Sequence, residues 1–302
     1  MPCFHPVQGY RSREVNPGTG KRSIVFNKKD GYEDLPVTVR CGQCSGCRLD
    51  RSAEWAIRCH HEAALYEENC FITLTYRDED LPDPPSVDVR EFQLFMKRLR
   101  KKYAPKKIRF FHCGEYGDTN RRPHYHAILF NHDFEDKKLW RMSNGLPLYV
   151  SEDLSSLWPL GFSSVGAATF QSAAYVARYI MKKVTGPMAE STYEHVSPET
   201  GEITQLQPEY VTMSRRPGLG KGWLDQYQSD IWPWDFVVVE GKKFRPPRFY
   251  DDQVKDEETF FRQIKRNRIL GAKEHAENNT PDRRRVREIV QEARLRMLPR
   301  EV

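Results

Sequence analysis

The segment that most constrains the fold of this chain is Pro-His-Tyr-His-Ala-Ile-Leu-Phe, residues 123–130. A β-strand turns successive side chains to opposite faces, so His124 and His126 point the same way. The apolar run Ala127–Phe130 indicates that the strand continues into a core. Two neutral imidazoles on one face are half of a divalent-metal site. The sequence therefore predicts a buried strand with metal ligands at one end.

The elements around this strand predict an α+β fold. The order strand, helix, strand, strand, helix favours a central, mainly antiparallel sheet with flanking helices. Apolar spacing, Pro/Gly stops and the candidate N-caps Ser86, Asp88 and Ser172 give the bounds. The predicted helices are Leu49–Tyr66, one following Asp88 and ending before Pro105, and Gln171–Lys183. The predicted strands are Cys70–Tyr76, Ile108–Cys113, His124–Phe130 and Gly161–Val165, with Gly114–Pro123 as a hairpin loop and 131–160 as a variable connection.

Composition divides the chain into four segments. These are a polar N-terminal segment with a cysteine cluster and a helix (1–66), a core (67–190), a loop-rich extension (191–250) and a basic, helical tail (251–302). The net charge is +6, and residues 242–302 hold 17 Lys/Arg against 11 Asp/Glu, so the whole excess lies there. Tail clusters such as Lys265–Arg268 and Arg283–Arg287 fit either phosphate contacts or a solvated basic helix.

The composition argues against a membrane or secreted protein. Charged residues make up 30% of the chain, and it contains no long uncharged apolar run and no basic-then-apolar N-terminus. We therefore expect no membrane partner, no transmembrane helix and no secretory signal. Seven cysteines without such a signal indicate a reducing compartment rather than a disulfide framework.

A third metal ligand is expected near the two histidines. Glu115 lies nine positions before His124 and returns beside it if the two strands form a hairpin. His112 and Asp118 are alternatives, and the side taken by His112 depends on a register of one residue. We favour Glu115. Nitrogen and oxygen ligands together fit manganese or magnesium, with zinc as an alternative.

Two tyrosines are candidate nucleophiles. Tyr175 and Tyr179 are four residues apart, on one face of the predicted helix. Lys182 and Lys183 follow about one turn later and could hold a phosphate or lower the pKa of a phenol, which is near 10 when unperturbed. Taken alone, the helix is better explained by tyrosines that serve as half-buried packing residues. Together with the histidines, the pattern favours nucleophiles.

A cluster of three cysteines, Cys41, Cys44 and Cys47, predicts a second metal site. Tetrahedral zinc needs one more ligand. Cys3, in the Pro-Cys pair near the start, is the preferred candidate, and the others are Cys59, His5 and His60. An iron–sulfur cluster uses similar thiolates, and free reduced cysteines are the third interpretation.

Three segments together resemble the ordered motifs of HUH endonucleases that initiate rolling-circle replication: Phe71–Tyr76, Pro123–His126 and Tyr175-x-x-x-Tyr179-x-x-Lys182. The phrase Tyr-Val-Ala-Arg-Tyr is most similar to replication initiators of microviruses. The features that look like the gokushovirus branch are Pro2-Cys3, the cysteine cluster with Arg48 and Trp55, and Met213–Gly218. The resemblance touches most of residues 1–225 and none of the tail.

The resemblance implies an HUH domain with an RRM- or ferredoxin-like sheet and a nicking and strand-joining activity. One tyrosine attacks a phosphate of single-stranded viral origin DNA, giving a 5′-phosphotyrosine and a 3′-OH that primes synthesis. The second later releases a circular genome. Matched by motif, His124 and His126 are metal ligands, Tyr175 and Tyr179 nucleophiles, and Lys182 a phosphate or tyrosine contact. Glu115 corresponds to the acidic ligand by spacing.

The expected partners follow from this interpretation. They are origin DNA and the helicase and polymerase of the bacterial host, in whose cytoplasm the protein works. The DNA surface is expected at the first strand, beside the metal site and in the basic tail, with Thr73, Tyr76, Arg121, Arg122 and Lys183 as contacts. Alternatives are a plasmid initiator or relaxase of the same superfamily, a histidine-based phosphodiesterase, or a non-catalytic nucleic-acid-binding protein with structural zinc.

Overall fold

A seven-stranded antiparallel sheet surrounds the histidine motif in the computed structural model, which describes residues 3–117, 120–143, 145–182, 184, 188–197, 200–254 and 258–297. The strands are β1 (Val7–Val15), β2 (Arg22–Val25), β3 (Gly31–Val39), β4 (Asn69–Tyr76), β5 (Arg109–Tyr116), β6 (Pro123–Phe130), β7 (Lys138–Ser143), β8 (Leu146–Val150), β9 (Gly161–Ala167), β10 (Glu194–Val196), β11 (Ile203–Gln205), β12 (Tyr210–Met213), β13 (Val237–Val239) and β14 (Lys242–Phe244). The α-helices are α1 (Ser45–Ala63), α2 (Val89–Lys102), α3 (Glu152–Leu157), α4 (Phe170–Lys182), α5 (Met188–Thr192), α6 (Lys221–Ile231), α7 (Arg248–Val254), α8 (Glu258–Glu274) and α9 (Pro281–Arg296).

The central sheet has the strand order β12-β5-β6-β4-β9-β8-β7. Each neighbouring pair is antiparallel, so the predicted α+β fold with a mainly antiparallel sheet is confirmed. The histidine strand β6 lies between β5 and β4. In this register His126 is opposite Thr73 on one side, and His124 is opposite Glu115 on the other.

Each face of the sheet carries its own hydrophobic core. On one face, Tyr125 and Leu129 of β6 pack with buried residues of α2, among them Phe92, Phe95 and Leu99. Helix α2 begins after Asp88, whose side chain accepts a hydrogen bond from the Arg90 backbone N–H, as the capping preference predicts. Because its apolar residues recur every three or four positions, they form a single stripe against the sheet.

The opposite face carries the histidines. The next residue of β6 on that face, Ile128, packs with Phe71 and Phe111 of the neighbouring strands and with residues of α1 and α4. Strict alternation along β6 thus separates the imidazoles from the α2 core. The two helices that cover this face are those predicted before β4 and after β9, and α4 carries Tyr175.

The predicted hairpin loop 114–123 is shorter in the structure. Strand β5 continues to Tyr116, and the Gly117 N–H donates to the Arg122 carbonyl at 2.9 Å. Gly114 indicated a loop, but its missing side chain makes room for Tyr210 on the edge strand β12: a Cβ there would lie 2.6 Å from the Tyr210 ring. Glu115 therefore belongs to strand β5, which pairs with β6 on one side and with β12 on the other.

Three regions predicted without regular elements contain them. Residues 7–39 form the sheet β2-β1-β3, the connection 131–160 contains β7, β8 and α3, and the extension 191–250 supplies β12 to the central sheet. Their alternation is broken by bulges and by exposed apolar residues, which hides the strand period. The predicted cap of α4 also differs: Thr169 Oγ1 accepts from the Ser172 N–H, so Thr169 is the capping residue.

The described chain divides into two compact units. The smaller joins residues within 1–50 to residues within 266–299, and the larger runs from Arg51 to Lys265. The described part of the tail is mainly helical, in α8 and α9, and α9 begins after Thr280, whose hydroxyl accepts from the Arg283 N–H. The four segments predicted from composition are each continuous in sequence, whereas the smaller unit combines residues from both ends of the chain.

Candidate functional site

His126 is held between two neighbouring strands. Its Nε2 lies 3.0 Å from Glu115 Oε1 of β5, and its Nδ1 lies 3.0 Å from Thr73 Oγ1 of β4. Both His126 and Glu115 are buried, at 7% and 4% exposure. The pair is brought together because the register sets Glu115 beside the histidine strand on the face that both imidazoles share.

His124 lies at the open end of the same face. Its ring is parallel to that of His126, with the centroids 6.4 Å apart, and its Nδ1 lies 2.6 Å from the Arg122 carbonyl oxygen. Desolvation, and then the neighbouring His126, lower the pKa of His124, so the neutral ring is favoured. A neutral imidazole is the form that binds a metal.

The hydrogen bonds of both rings suit metal ligation through Nε2. A carbonyl oxygen can accept only from an Nδ1–H, which leaves the Nε2 lone pair of His124 for a metal. The Thr73 hydroxyl can likewise accept from the Nδ1–H of His126, which leaves the Nε2 lone pair of His126 for a metal. Two ligand atoms bound at about 2.1 Å and at right angles are about 3.0 Å apart, which matches the His126–Glu115 separation. The nitrogen and oxygen donors therefore fit the predicted divalent ion.

The three candidate ligands do not converge fully. Among the described residues, the four cysteines Cys3, Cys41, Cys44 and Cys47 are the group whose ligand atoms all lie within 4.8 Å of one another. His124, His126 and Glu115 are not such a group, since the stacked arrangement sets His124 aside from the bonded pair.

His112, one alternative third ligand, points to the other face of the sheet. It is fully buried, stacks on Phe92 with centroids 3.4 Å apart, and its Nδ1 lies 3.0 Å from Thr212 Oγ1. Desolvation lowers its pKa well below the usual value. The register therefore removes His112 from the candidates. Asp118 lies outside the described residues.

Tyr175 contacts His126, one of the two candidate ligands that bond each other. Its ring meets that of His126 edge-on, with centroids 5.4 Å apart, and meets Phe71 at 6.2 Å. It is 8% exposed, so it also packs in the core of that face. Tyr179 and Lys182 lie in α4, but their side chains are outside the described residues, and so is Lys183.

The predicted DNA contacts separate into three groups. Thr73 lies in the site, where its hydroxyl bonds His126. Thr73 and Thr75 alternate along β4 on the histidine face, and this spacing could have indicated a contact with the histidines. Tyr76 is 3% exposed and its hydroxyl is 2.8 Å from that of Tyr125, so it belongs to the α2 core and not to a DNA surface. Arg121 is exposed, and Arg122 is half-buried and paired with Asp78.

The cysteine cluster is closely packed. Cys3 Sγ lies 3.5 Å from Cys41 Sγ and 3.9 Å from Cys44 Sγ, and Cys41 Sγ lies 4.0 Å from Cys47 Sγ. Four sulfur ligands at about 2.3 Å around a tetrahedral ion are about 3.8 Å apart. The cluster could therefore hold a metal, and Cys3 supplies the fourth thiol as predicted.

Backbone donors surround these thiols. Burial raises the pKa of Cys3 to about 12, whereas burial of Cys44 is outweighed by N–H donors, Phe4 first, that lower its pKa to about 6. Such N–H groups stabilise thiolates. Of the other candidate ligands, His5 pairs with Glu288 at 2.7 Å, while Cys59 packs in the core of the larger unit.

The fold and site define an α+β protein with a histidine–carboxylate pair beside a tyrosine. Residues 69–184 match the family model for replication-associated protein ORF2/G2P. The chain is 32% identical over 266 residues to the replication-associated protein VP4 of Bdellovibrio phage phiMH2K, covering 84% of this chain and 78% of the relative. It is also 32% identical over 277 residues to the replication-associated protein ORF2 of Spiroplasma virus 4, covering 85% and 81%.

A third relative, the replication-associated protein ORF4 of Chlamydia phage 1, is 29% identical over 75% of this chain and 56% of its own length. The chain belongs to the family of phage replication-associated proteins. No solved structure matches it. Among the described residues, no helix combines the length and the apolar character needed to cross a membrane.

Proposed function

We propose that this protein initiates rolling-circle replication by metal-dependent, site-specific nicking and rejoining of single-stranded DNA at a phage origin. The observation that carries the proposal is the edge-on contact of Tyr175 with His126, which is itself bonded to Glu115. A nucleophile next to a metal-ligand pair is what cleavage by a tyrosine requires. Membership of the phage replication-associated family supports the same role.

His124, His126 and Glu115 would hold the divalent ion, manganese or magnesium. When bound, the ion supplies Lewis acidity toward the scissile phosphate. Thr73 and the Arg122 carbonyl fix the orientation of the two imidazoles. The buried surroundings keep His124 neutral and so ready to bind.

In the nicking step, the phenolic oxygen of Tyr175 or Tyr179 forms a bond to phosphorus, and the bond from phosphorus to the 3′ oxygen breaks. The phenol loses a proton and the departing 3′ oxygen gains one. The products are a 5′-phosphotyrosine and a 3′-OH that primes a host polymerase. After one round the other tyrosine attacks the regenerated origin phosphate in the same way and releases a new 3′-OH. This 3′-OH attacks the phosphorus of the first 5′-phosphotyrosine, the tyrosine–phosphate bond breaks, the tyrosine regains its proton, and the strand closes into a circle. Lys182 and Lys183 are proposed phosphate contacts.

We propose structural zinc for the cysteine cluster, with all four ligands from Cys3, Cys41, Cys44 and Cys47. Sulfur spacings near those of a tetrahedral site support this ion, and four thiolates leave no open position for catalysis. An iron–sulfur cluster is the competing occupant. Metal analysis of the purified protein distinguishes the two, and absence of both metals would rule out the site.

The protein is proposed to act in the cytoplasm of the bacterial host, together with host helicase and polymerase. The direct test is incubation with labelled origin oligonucleotides and manganese, followed by a denaturing gel. We expect a covalent protein–DNA adduct that is lost in the double variant Tyr175→Phe, Tyr179→Phe. Each single variant should retain one of the two transfers. An adduct that persists in the double variant contradicts the nucleophile assignment. Binding without an adduct on any origin fragment favours a non-catalytic binding protein.

A further inference from the structure

A basic cleft lies at the far end of β5 from Glu115. It has a volume of about 760 Å³ and belongs to the larger unit. Its charged lining consists of six cations and one carboxylate, Glu62. The cations come from the end of α2, the start of β5 and the segment after β12; they are Arg100, Lys106, Lys107, Arg109, Arg215 and Arg216.

Half of these cations have no side-chain partner among the described residues. The carboxylate Glu62 is neutralised by Arg109, at 2.6 Å, and Lys106 pairs with Glu68. By contrast, the side chains of Lys107, Arg215 and Arg216 are exposed and make no hydrogen bond or ion pair with any described residue. Residues 1–241 carry no net charge, so the cleft is a local concentration of positive charge on a balanced chain.

The segment that presents the two arginines is fixed by its backbone. The Ser214 N–H donates to the Phe110 carbonyl at 3.0 Å, and the Pro217 carbonyl accepts from Arg109 at 2.8 Å. Further along, the Gly220 N–H donates to Glu62 at 2.7 Å. These bonds anchor the loop on both sides of Arg215 and Arg216, whose exposed guanidinium groups take no part in them.

The walls between the cations are partly apolar. Tyr66, Leu65 and Phe110 line the same cleft, and Tyr66 and Phe110 are only half-buried. Arginines beside aromatic rings are the combination with which proteins bind single-stranded nucleic acid, since the cations follow phosphates while bases stack on rings.

From this arrangement we infer that the cleft is a second DNA-binding site, which holds the phosphodiester backbone of the single strand away from the cleavage point. Lys107, Arg215 and Arg216 are the phosphate contacts. The inference rests on the proposed function for its choice of ligand. Arg109 and Glu115 are six residues apart on one strand, about 20 Å, so the cleft is separate from the histidine site.

The test measures binding of a labelled single-stranded oligonucleotide in EDTA, at several salt concentrations, by fluorescence anisotropy. Two phosphate contacts account for a slope of about 1.4 in log K against log salt. We expect Arg215→Gln with Arg216→Gln to weaken binding and to reduce the slope by about that amount. The matched control, Lys97→Gln with Lys101→Gln, removes two exposed charges from α2 and should leave the slope unchanged.

Two further arms make the outcome decisive. Arg215→Lys with Arg216→Lys keeps the charges and should keep most of the slope, which separates charge from loss of fold. Equal effects in the Gln pair and the control pair contradict the inference. The inference is also contradicted if the Gln pair loses binding of a nucleoside triphosphate but keeps oligonucleotide binding. That result would assign the cleft to free nucleotides. Because no metal is present, a change of slope supports the cleft even if the wild-type protein forms no covalent adduct.

Discussion

The hydroxyl of Thr73 is the most informative group to remove from the candidate site. It lies 3.0 Å from His126 Nδ1, on the opposite side of the ring from the nitrogen that faces Glu115. Thr73→Val replaces it by a methyl group of similar size. The backbone pairing of β4 is unaffected, so the change tests whether an oriented imidazole is needed for metal binding.

The size of the effect follows from the burial of His126, which is 7% exposed. Loss of a hydrogen bond by a buried polar group costs about 1–3 kcal/mol of folding free energy. Loss of a partner behind a metal ligand lowers metal affinity by about 10- to 100-fold, or about 1.4–2.7 kcal/mol. We therefore expect a manganese midpoint at least about tenfold higher, with an unchanged maximum of adduct formation.

The assay is a manganese titration of adduct formation with excess oligonucleotide, accompanied by binding of the same DNA in EDTA. Thr75→Val is the matched control, because Thr75 is on the same strand and face but bonds the Phe162 carbonyl instead. Equal shifts of the midpoint in both variants, or no shift in Thr73→Val, would refute an orienting role for the Thr73 hydroxyl. Weaker DNA binding with an unchanged midpoint would make Thr73 a DNA contact, as the sequence predicts.

Four other outcomes are expected. Glu115→Gln should lower adduct yield by at least about tenfold with little change in melting temperature, since it removes a ligand charge but keeps the shape. Leu99→Ala empties a fully buried position of α2 and should cost about 2–5 kcal/mol in urea unfolding. Burial, and then the charge of Lys106, lower the pKa of His132 to about 4. In the unfolded chain the same group takes up its proton near pH 6.5, so the free energy of unfolding should fall by about 3 kcal/mol as the pH is lowered from 6.5 to 4. His132→Leu should make this fall smaller. A chelator should lower the melting temperature of the wild-type protein but not of Cys44→Ser, provided that the cluster holds a metal.

Local patterns predicted the elements that hold the site. Alternation identified β6 and β4, the helical period identified α2 and α4, and Asp88 capped α2 as expected. These signals are strong because each element buries one continuous apolar stripe or face. Strands β1–β3 and β12 were missed, since short, half-exposed and bulged strands leave no clear period in the sequence.

The sequence by itself determined which residue types are available: two histidines on one face, two tyrosines one turn apart, and three cysteines close together. It left the third metal ligand and the fourth thiol open. Only the tertiary structure shows which candidates come together: Glu115 reaches His126 through pairing of β5 with β6, and His112 is turned away by one residue of the same register. Cys3 meets Cys41 across 38 residues of chain. The basic cleft has the same origin: its charges are far apart in sequence, and folding alone brings them to one place.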